Sequence, residues 1–350
     1  MPGRDNTRYP WSPVSPRSQA LLSSKRRESR LISPKPYRIL DTPELKNDFY
    51  VSLIDWSSQN MLCIGLGASL YLWNGYNGKT TKLCELSEGS ISSVSWAQEG
   101  THLAMGTESG LVQIWDIERG NRVRSMPGHG GRVGTMSWCH HTLATGSKDR
   151  SILLRDPRSQ RPYHQVLMGH TQEVCGLKWS TDESLLASGG NDNSVRVWET
   201  SESSALHVFE QHVGAVKALD WSPHQSNLLV SGGGTYDKKL RFWDVATGIL
   251  VTEIEAGSQV CQLKWSKLTN EIISTHGYSE YEIVIWDYPT RSRLAALTGH
   301  TSRVLYLAMS PDGKSFVTGA GEGDETLRFW RLFAPPKKAS NSLSQLSLIR

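Results

Sequence analysis

Histidine and aspartate residues recur at regular intervals along the chain, and with nearby hydroxyl residues they could build a proton-transfer relay. The histidines stand in Gly128-His129, Gly169-His170, Gln211-His212 and Gly299-His300, and the aspartates are Asp149, Asp192, Asp237 and Asp324. No nucleophile has a matching context, because the sequence contains no Gly-x-Ser-x-Gly, His-Glu-x-x-His or Gly-x-x-x-x-Gly-Lys-Ser/Thr motif. We therefore predict a buried hydrogen-bonded set with a structural role, in a chain that is not an enzyme.

Two other motifs have both a chemical and a structural interpretation. Gly65-Leu66-Gly67 is similar to half of a dinucleotide-binding fingerprint, but no helix is predicted after it, so a hairpin is favoured. Cys139-His140-His141 could hold a metal ion, yet no second ligand-rich cluster accompanies it, so a loop is favoured. The five cysteines are widely spaced without a Cys-x-x-Cys pair, which predicts no disulfide framework and no zinc site. We predict neither metal nor cofactor.

Composition and charge limit the class of protein. The 350 residues are 38% hydrophobic, and no stretch approaches the run of about 18 apolar residues that a membrane span needs. The formal net charge is +4, with +6 on residues 1–36, +3 on residues 332–350 and −5 on the body between them. Basic ends on an acidic body indicate tails for partners rather than a nucleic-acid-binding face. With no signal segment and unpaired cysteines, the nucleus and cytoplasm are the expected location.

Tryptophan spacing predicts the fold. Of the 13 tryptophans, six form one series at intervals of about 43 residues, with Arg155 filling its single gap: Trp73, Trp115, Trp198, Trp243, Trp286 and Trp330. A second series has the same period and extends to Met309: Trp56, Trp96, Trp138, Trp179, Trp221 and Trp265. Each first-series residue closes an alternating run such as SVRVWE, and Gly-His pairs precede several of these runs. These are the two halves of a WD40 repeat, so we predict an all-β, seven-bladed propeller.

The pattern also predicts how the ring closes. Two prolines follow Trp330 in RLFAPPKK and make a poor outer strand, whereas residues 36–41 have strand character and precede the first inner strand, predicted at residues 51–56. We expect residues 36–41 to supply the fourth strand of blade 7. The predicted organisation is a basic Ser/Pro-rich tail (1–35), a propeller (36–331) and a flexible tail (332–350).

Residues at one end of the central channel are the first candidates for binding. One residue precedes each inner strand, and the seven are Tyr50, Ser90, Arg132, Glu173, Ala215, Gln259 and Arg303. Structural repetition alone would place similar residues there, so their diversity predicts a surface that recognises one ligand, with a charged peptide as the natural class. Asn191, Asn193 and Thr235, in turns between second and third strands, should project near the same face.

Longer segments resemble one WD40 family. LDTPELKNDFYVSLIDWSSQN, QEVCGLKWSTD, GSQVCQLKWS and GHTSRVLYLAMSPDG are similar to the fizzy and fizzy-related proteins, and WSTD, STHGYS and TRYPWSPVSPRSQALL favour the fizzy-related branch. This resemblance extends over residues 7–350. It implies a co-activator of the anaphase-promoting complex, a ubiquitin ligase, which captures cell-cycle substrates that carry KEN-box and destruction-box degrons. It implies a monomer within that complex, with no nucleic-acid or membrane partner.

The resemblance also implies functional residues. The matching KEN-box positions are Asp48, Phe49, Asn191, Asn193, Thr235, Gln259 and Arg303. Asp48 would pair with the degron lysine, Arg303 with its glutamate, and the asparagines with its amide and backbone. The matching destruction-box positions lie between blades 1 and 7, where Asp41 and Glu325 would hold an arginine and Leu40 and Trp73 would wall a leucine pocket. Trp73 is also a repeat tryptophan, and its structural role stays open.

The two ends carry further expectations from the same family. Ile349-Arg350 matches an Ile-Arg tail that docks into a tetratricopeptide-repeat subunit of the ligase. The family's upstream C-box, Asp-Arg-Phe/Tyr-Ile-Pro, has only Arg8-Tyr9-Pro10 as a faint counterpart, which suggests a shortened N-terminus and puts ligase activation in doubt. Ser12, Ser15 and Ser33 each precede proline and are candidate phosphorylation sites that would reverse the basic character of the tail.

Two other functions remain open at this point. One is a truncated form that binds degrons without activating the ligase. The other is a general WD40 scaffold that binds a different peptide, for example a histone tail. Lys25-Arg26-Arg27 is compatible with nuclear import or with a merely solvated charged run.

Overall fold

A computed structural model describes residues 32–333 and consists there of seven four-stranded antiparallel sheets arranged as the blades of a propeller. The expectations for residues 1–31 and 334–350 fall outside the described residues. No helix that could span a membrane occurs among residues 32–333. The predicted all-β, seven-bladed architecture is confirmed.

The innermost strand of each blade contacts the innermost strands of the two neighbouring blades, which closes the ring around a central channel. These strands are β2 (Ile54–Trp56), β6 (Ile91–Trp96), β10 (Val133–Cys139), β14 (Val174–Trp179), β18 (Val216–Trp221), β22 (Val260–Trp265) and β26 (Val304–Met309). The second strands are β3 (Met61–Leu66), β7 (His102–Thr107), β11 (Thr142–Ser147), β15 (Leu185–Gly190), β19 (Leu228–Gly233), β23 (Glu271–His276) and β27 (Ser315–Ala320).

The third strands end in the first-series residues or their immediate successors. They are β4 (Ser69–Asn74), β8 (Val112–Asp116), β12 (Ser151–Arg155), β16 (Val195–Glu199), β20 (Lys239–Asp244), β24 (Ile283–Asp287) and β28 (Thr326–Arg331). The outermost strands are β5 (Thr80–Glu85), β9 (Asn121–Met126), β13 (Gln165–Met168), β17 (Ala205–Phe209), β21 (Ile249–Glu255), β25 (Ser292–Leu297) and, for blade 7, β1 (Arg38–Asp41).

Blade 7 is completed by the start of the described chain, as the sequence pattern indicates. Strand β1 pairs with β28 in antiparallel register, with Leu40 opposite Leu327 and Asp41 opposite Thr326. The first inner strand is shorter than the predicted 51–56, because β2 begins at Ile54 and Ser52 forms only an isolated parallel bridge to Ser93 of blade 2. The segment before β2 therefore contacts the innermost strand of blade 2 before the chain enters the sheet of blade 1.

The histidine and aspartate sets are buried parts of the blades, which confirms their structural interpretation. In blade 4, His170 Nδ1 lies 3.0 Å from Asp192 Oδ2, His170 Nε2 lies 2.8 Å from Ser188 Oγ, and Trp198 Nε1 donates to the same oxygen at 2.8 Å. The His170 side chain is fully buried, so no substrate can reach the ring. Burial alone would raise the pKa of Asp192, but its hydrogen bond from His170 holds the pKa well below the ordinary value.

Blade 3 shows that an arginine can replace the repeat tryptophan. Arg155 is fully buried, and its Nε donates to Thr145 Oγ1 at 3.1 Å, in the place where Trp198 binds serine in blade 4. Its Nη1 also donates to the carbonyls of Pro127 and Pro162 at 2.9 and 2.8 Å. The long side chain thus supplies the same donor to the network and links two loops of the blade.

The second tryptophan series joins neighbouring blades. Trp138 Nε1 donates to the carbonyl of Ser95 at 3.1 Å, Trp179 Nε1 to that of Ser137 at 3.1 Å, and Trp221 Nε1 to that of Lys178 at 3.0 Å. Each donor therefore reaches from one innermost strand to the preceding one. Because these bonds bridge blades that share no ladder, they fix the inner ring that carries the functional surface.

Candidate functional site at the channel rim

The seven innermost strands run in the same direction around the channel, so each face of the propeller carries one end of every strand. We call the end where they begin the rim face and the end where they finish the far face. The predicted seven residues from Tyr50 to Arg303 precede the inner strands and therefore belong to the rim face. Asp48, Phe49 and Tyr50 lie in the loop that leads from β1 to β2.

Arg132 is the centre of an ionic network on the rim face. Its Nε and Nη2 donate to the two carboxylate oxygens of Glu173 at 2.6 and 3.0 Å, and its Nη1 donates to Asp48 Oδ2 at 2.7 Å. The guanidinium also lies 5.4 Å from the Tyr50 ring centroid. One cation thus connects blades 3 and 4 with the loop before blade 1, and a bidentate pair of this kind holds its geometry firmly.

The same network continues to the asparagines. Asp48 Oδ1 accepts a hydrogen bond from the backbone N–H of Tyr50 at 2.8 Å, and the Tyr50 hydroxyl donates to Asn191 Oδ1 at 2.7 Å. Asn191 Nδ2 donates to Gln172 Oε1 at 2.6 Å. Asn193 is partly exposed two residues further, with a left-handed backbone φ of 62° that shapes the turn. Hydrogen bonds through Tyr50 therefore connect Asp48 with Asn191, a contact that the resemblance alone did not predict.

Arg303 occupies the blade 7 side of the rim. Its Nε donates to Asn47 Oδ1 at 3.0 Å, its Nη2 donates to the Asn47 carbonyl at 2.8 Å, and its guanidinium lies 5.1 Å from the Tyr278 ring centroid. No carboxylate within residues 32–333 forms an ion pair with it, since both of its hydrogen-bond acceptors are uncharged. Arg303 therefore keeps its positive charge available to an acidic ligand.

Three other predicted positions differ in accessibility. Thr235 is exposed on blade 5, Phe49 is buried in the core that joins blades 1 and 7, and Gln259 is 4% exposed. The Gln259 Oε1 atom has no hydrogen-bond partner within the described chain. Gln259 therefore contributes an unsatisfied buried acceptor to blade 6, while Phe49 contributes packing.

Lys217 is a residue of the channel wall, one position inside the rim, that the sequence analysis did not identify. It lies within the channel, donates from Nζ to the Val51 carbonyl at 2.8 Å, and faces the rings of Phe49 and Tyr306 at 5.6 and 5.5 Å. Burial lowers the pKa of Lys217 to about 8. Its position as the second residue of β18 was a usable signal, because a lysine is unusual within a fully buried strand.

The predicted destruction-box residues lie where blades 1 and 7 meet. Asp41 is exposed, and its ladder partner Thr326 follows Glu325 directly, so the two acidic residues lie at the same end of the β1–β28 pair. Leu40 is half-buried against the core that contains Trp73. Trp73 is 3% exposed, packs against Phe329 with ring centroids 4.8 Å apart, and is covered by Arg38, whose guanidinium lies 5.4 Å from its ring.

The remaining sequence candidates have ordinary local roles. Ser33 is exposed, and its hydroxyl donates to the Lys35 carbonyl at 3.1 Å. Gly67 has a φ of 56° in the β3–β4 hairpin, as predicted for that motif. His140 stands in the β10–β11 turn and contacts the Glu183 carboxylate. Within residues 32–333 no group of three or more His, Cys, Asp and Glu side chains is arranged to hold a metal ion. Ser12, Ser15, Ile349 and Arg350 lie outside the described residues.

A family model described as the CDC20/Fizzy WD40 domain matches residues 40–330, which is nearly the whole propeller. The chain belongs to this family. The CDC20/Fizzy match includes the rim network and the blade 1–blade 7 junction, since both lie within the matched residues.

Relatives and solved structures agree with this assignment. FIZZY-RELATED 2 of Arabidopsis thaliana is 54% identical over 88% of this chain, and the anaphase-promoting complex subunit cdh1 of Dictyostelium discoideum is 47% identical over 97%. This chain spans 64% and 49% of their respective lengths. A chain in the crystal structure of the mitotic checkpoint complex is 41% identical, with a TM-score of 0.85 over 89% of this chain and 96% of that one.

Proposed function

We propose that this CDC20/Fizzy-family chain is a non-enzymatic substrate receptor and co-activator of the anaphase-promoting complex, acting in cell-cycle-regulated proteolysis in the nucleus and cytoplasm. Family membership across residues 40–330 is the observation that carries the proposal. The relative named as a subunit of that complex supports the choice of partner. The buried histidine sets support an adaptor rather than a catalyst, because the ring nitrogens already form hydrogen bonds within the blades.

The rim network supports recognition of a short peptide that carries both charges. Asp48 is 31% exposed in its side chain and uses one carboxylate oxygen for Arg132 and the other for a backbone N–H, so lone pairs remain for a degron lysine. Arg303, with neutral acceptors only, would take the degron glutamate. Asn191, fixed in place by the Tyr50 hydroxyl, would then offer its amide to the degron asparagine. A Lys-Glu-Asn motif matches this order of acceptor, donor and amide.

The blade 1–blade 7 junction supports a second degron subsite. Asp41 and Glu325 supply two carboxylates at one end of the β1–β28 pair, which suits an arginine fork. Leu40 contributes a partly buried apolar wall beside them. Trp73 would contribute little surface to this pocket, because it is only 3% exposed and packs against Phe329. Docking of the Ile349-Arg350 end into a tetratricopeptide-repeat subunit is a separate part of the proposal.

The deciding experiment is reconstituted ubiquitination by ligase that lacks a co-activator, with this chain added and a substrate that carries both degrons. We expect binding of fluorescent KEN-box and destruction-box peptides and ubiquitination that depends on both motifs. Peptide binding without ubiquitination would reduce the proposal to a degron receptor that does not activate the ligase. Absence of binding to either peptide by a folded chain would contradict the proposal and favour a scaffold for another peptide.

A variant that lacks Ile349 and Arg350 separates degron capture from ligase docking. We expect unchanged peptide affinity and reduced co-precipitation with the ligase, because these residues lie outside the propeller that holds both subsites. Equal co-precipitation of the two forms would show that the tail assignment is wrong.

A further inference from the structure

The far face carries its own ring of polar residues. The residue before each second-series position ends the channel-lining part of an inner strand, and six of these seven residues are polar: Asp55, Ser95, Ser137, Lys178, Asp220 and Lys264. All of them except Asp220 line a cavity of about 640 Å³ that opens on the far face. Ligand pockets usually have volumes of about 300–1,000 Å³, so the cavity is large enough for a small organic molecule.

The two lysines of this ring differ in how well nearby carboxylates balance their charge. Asp220 and Asp55 raise the pKa of Lys178 despite its burial, whereas the pKa of Lys264 is lowered. Lys178 Nζ lies 3.7 Å from Asp220 Oδ1. Lys264 forms no ion pair within 4.0 Å among residues 32–333, and Lys178 is the charged group that affects it most, ahead of Asp220 and Asp55. The Lys178 ammonium beside it lowers the pKa of Lys264 to about 8. Two adjacent ammonium groups repel each other unless an anion lies between them.

The nearby aspartates are occupied with backbone groups. Asp55 Oδ1 and Oδ2 accept hydrogen bonds from the backbone N–H groups of Trp56 and Trp96 at 2.9 and 2.8 Å. Asp220 Oδ2 accepts one from the backbone N–H of Trp265 at 2.8 Å. Burial also raises the pKa of Asp55. These carboxylates therefore hold neighbouring inner strands together and neutralise the lysines only in part.

Further donors line the same cavity. The hydroxyls of Ser95 and Ser137 have no hydrogen-bond partner within the described chain, although both residues are 8% exposed and border the cavity. Lys267 lies at the opening, is exposed, and forms no ion pair with another residue of 32–333. Four ammonium groups (Lys178, Lys217, Lys264 and Lys267), two carboxylates (Asp55 and Glu183) and two free hydroxyls thus line one space.

We propose that this far-face cavity binds a compact small molecule that carries several phosphoryl groups. Lysine ammonium groups bind phosphate as point charges, and serine hydroxyls donate to the remaining oxygens. Several phosphoryl groups suit the volume and the four lysines of the cavity better than one does. The site is independent of the proposed degron function, because none of the proposed degron-binding residues lines this cavity.

Isothermal titration calorimetry of the full chain with inositol hexakisphosphate, tripolyphosphate and citrate tests this site. We expect one binding event with each phosphate probe, at least about tenfold weaker in Lys264→Gln because one charge-assisted contact is lost. Lys148→Gln removes the same charge from an exposed position of the rim face and should leave the affinity within about twofold of the wild type. Citrate, with carboxylates only, should bind at least about tenfold more weakly than the phosphates.

The basic tails provide an internal control, because they are identical in all three proteins. Equal binding by wild type and Lys264→Gln would place the polyanion on the tails or elsewhere and overturn the proposal. Equal binding of citrate and the phosphates would overturn the choice of phosphoryl groups. No binding of any probe at millimolar concentration would overturn the site itself.

Thermal unfolding gives a second readout that does not depend on calorimetry. Without ligand, Lys264→Gln should unfold at the same temperature as the wild type or higher, because the substitution removes repulsion by Lys178. With inositol hexakisphosphate, the wild type and Lys148→Gln should gain stability and Lys264→Gln should not. A Lys264→Gln variant that is less stable without ligand would show a structural lysine instead.

Discussion

Each end of the central channel carries one residue from every repeat, yet the positive charges at the two ends differ in how well carboxylates balance them. On the rim face, Arg132 is saturated by Glu173 and Asp48 at 2.6–3.0 Å. On the far face, Lys264 has no carboxylate partner among the described residues, and Lys178 has one at 3.7 Å. The rim is therefore already organised before a ligand arrives, whereas the far face is completed by one.

This difference has an energetic meaning. A saturated network costs little to keep in place, so peptide binding at the rim can use its free groups, such as Arg303, without rearrangement. Unbalanced cations destabilise the folded chain slightly until an anion arrives, and the same imbalance then favours binding. Removing Arg132 from the rim should accordingly destabilise the chain, whereas removing Lys264 from the far face should not.

Arg132→Met should cause the largest loss of stability. Glu173 has a side chain that is only 9% exposed, and it would lose a bidentate partner while Asp48 loses its pair. We expect a loss of about 3 kcal/mol, as for one partner removed from a buried ion pair, measured by urea unfolding. Arg132→Lys keeps the positive charge but loses the bidentate guanidinium geometry, so its stability should lie between those of the wild type and Arg132→Met. A loss below about 0.5 kcal/mol in Arg132→Met would contradict the distinction between the two ends.

Arg303→Ala should weaken KEN-peptide binding by about 1–3 kcal/mol, because one charge-assisted contact is lost. Its unfolding free energy should stay close to that of the wild type, since the hydrogen bonds that Arg303 makes are to uncharged Asn47 atoms. Fluorescence anisotropy with a KEN peptide and urea unfolding measure the two effects. An unfolded variant would count against a role in binding.

Asp220→Asn tests the far face from the opposite direction to Lys264→Gln. It removes the nearest carboxylate of Lys178, so we expect a loss of about 1 kcal/mol, a modest value because Lys178 is 36% exposed. Adding Lys264→Gln should recover part of that loss, because one of the two repelling cations is then gone. A double variant that is no more stable than Asp220→Asn would show that the lysines are not coupled.

The pH dependence of unfolding tests the charge on Lys264 directly. The folded-state pKa of Lys264 is about 8, below its ordinary 10.5, so the unfolded chain binds this proton more tightly. The loss of stability caused by the charge on Lys264 is fully present below pH 8 and is relieved as the pH rises toward 10.5. The charged groups that face Lys264 are Lys178, Asp220 and Asp55. Urea unfolding at pH 7.5 and 9.5 should therefore show the advantage of Lys264→Gln shrinking. Lys217, whose pKa is lowered in the same direction, contributes equally to both proteins.

The fold was accessible from the sequence because its two signals are periodic. The tryptophan series and the closing segment near residues 36–41 depend on spacing, which the sequence contains in full. The rim positions were accessible for the same reason, and Arg132 and Glu173 were both among the predicted seven. Their ion pair was not foreseen, although residues 41 positions apart in adjacent blades are natural neighbours.

The parts that escaped prediction depend on three-dimensional detail. Asp48 reaches Arg132 because an irregular loop, not a repeat, positions it, and no spacing rule applies there. Gln259 is buried with its side chain packed against Gly277, a contact that the repeat spacing does not predict. The far-face ring was within reach, because a second alignment on the residues before the second-series tryptophans would have aligned Lys178 with Lys264.

Strand β1 leaves the ribosome first among the propeller's strands and β28 leaves it last, although the two lie side by side in blade 7. Throughout synthesis the growing chain must therefore keep an incomplete arc with two open flanks, and the earliest strand waits for its neighbour until almost the whole domain has been made. The interval between those two moments is the period in which the nascent chain is most exposed to aggregation and proteolysis.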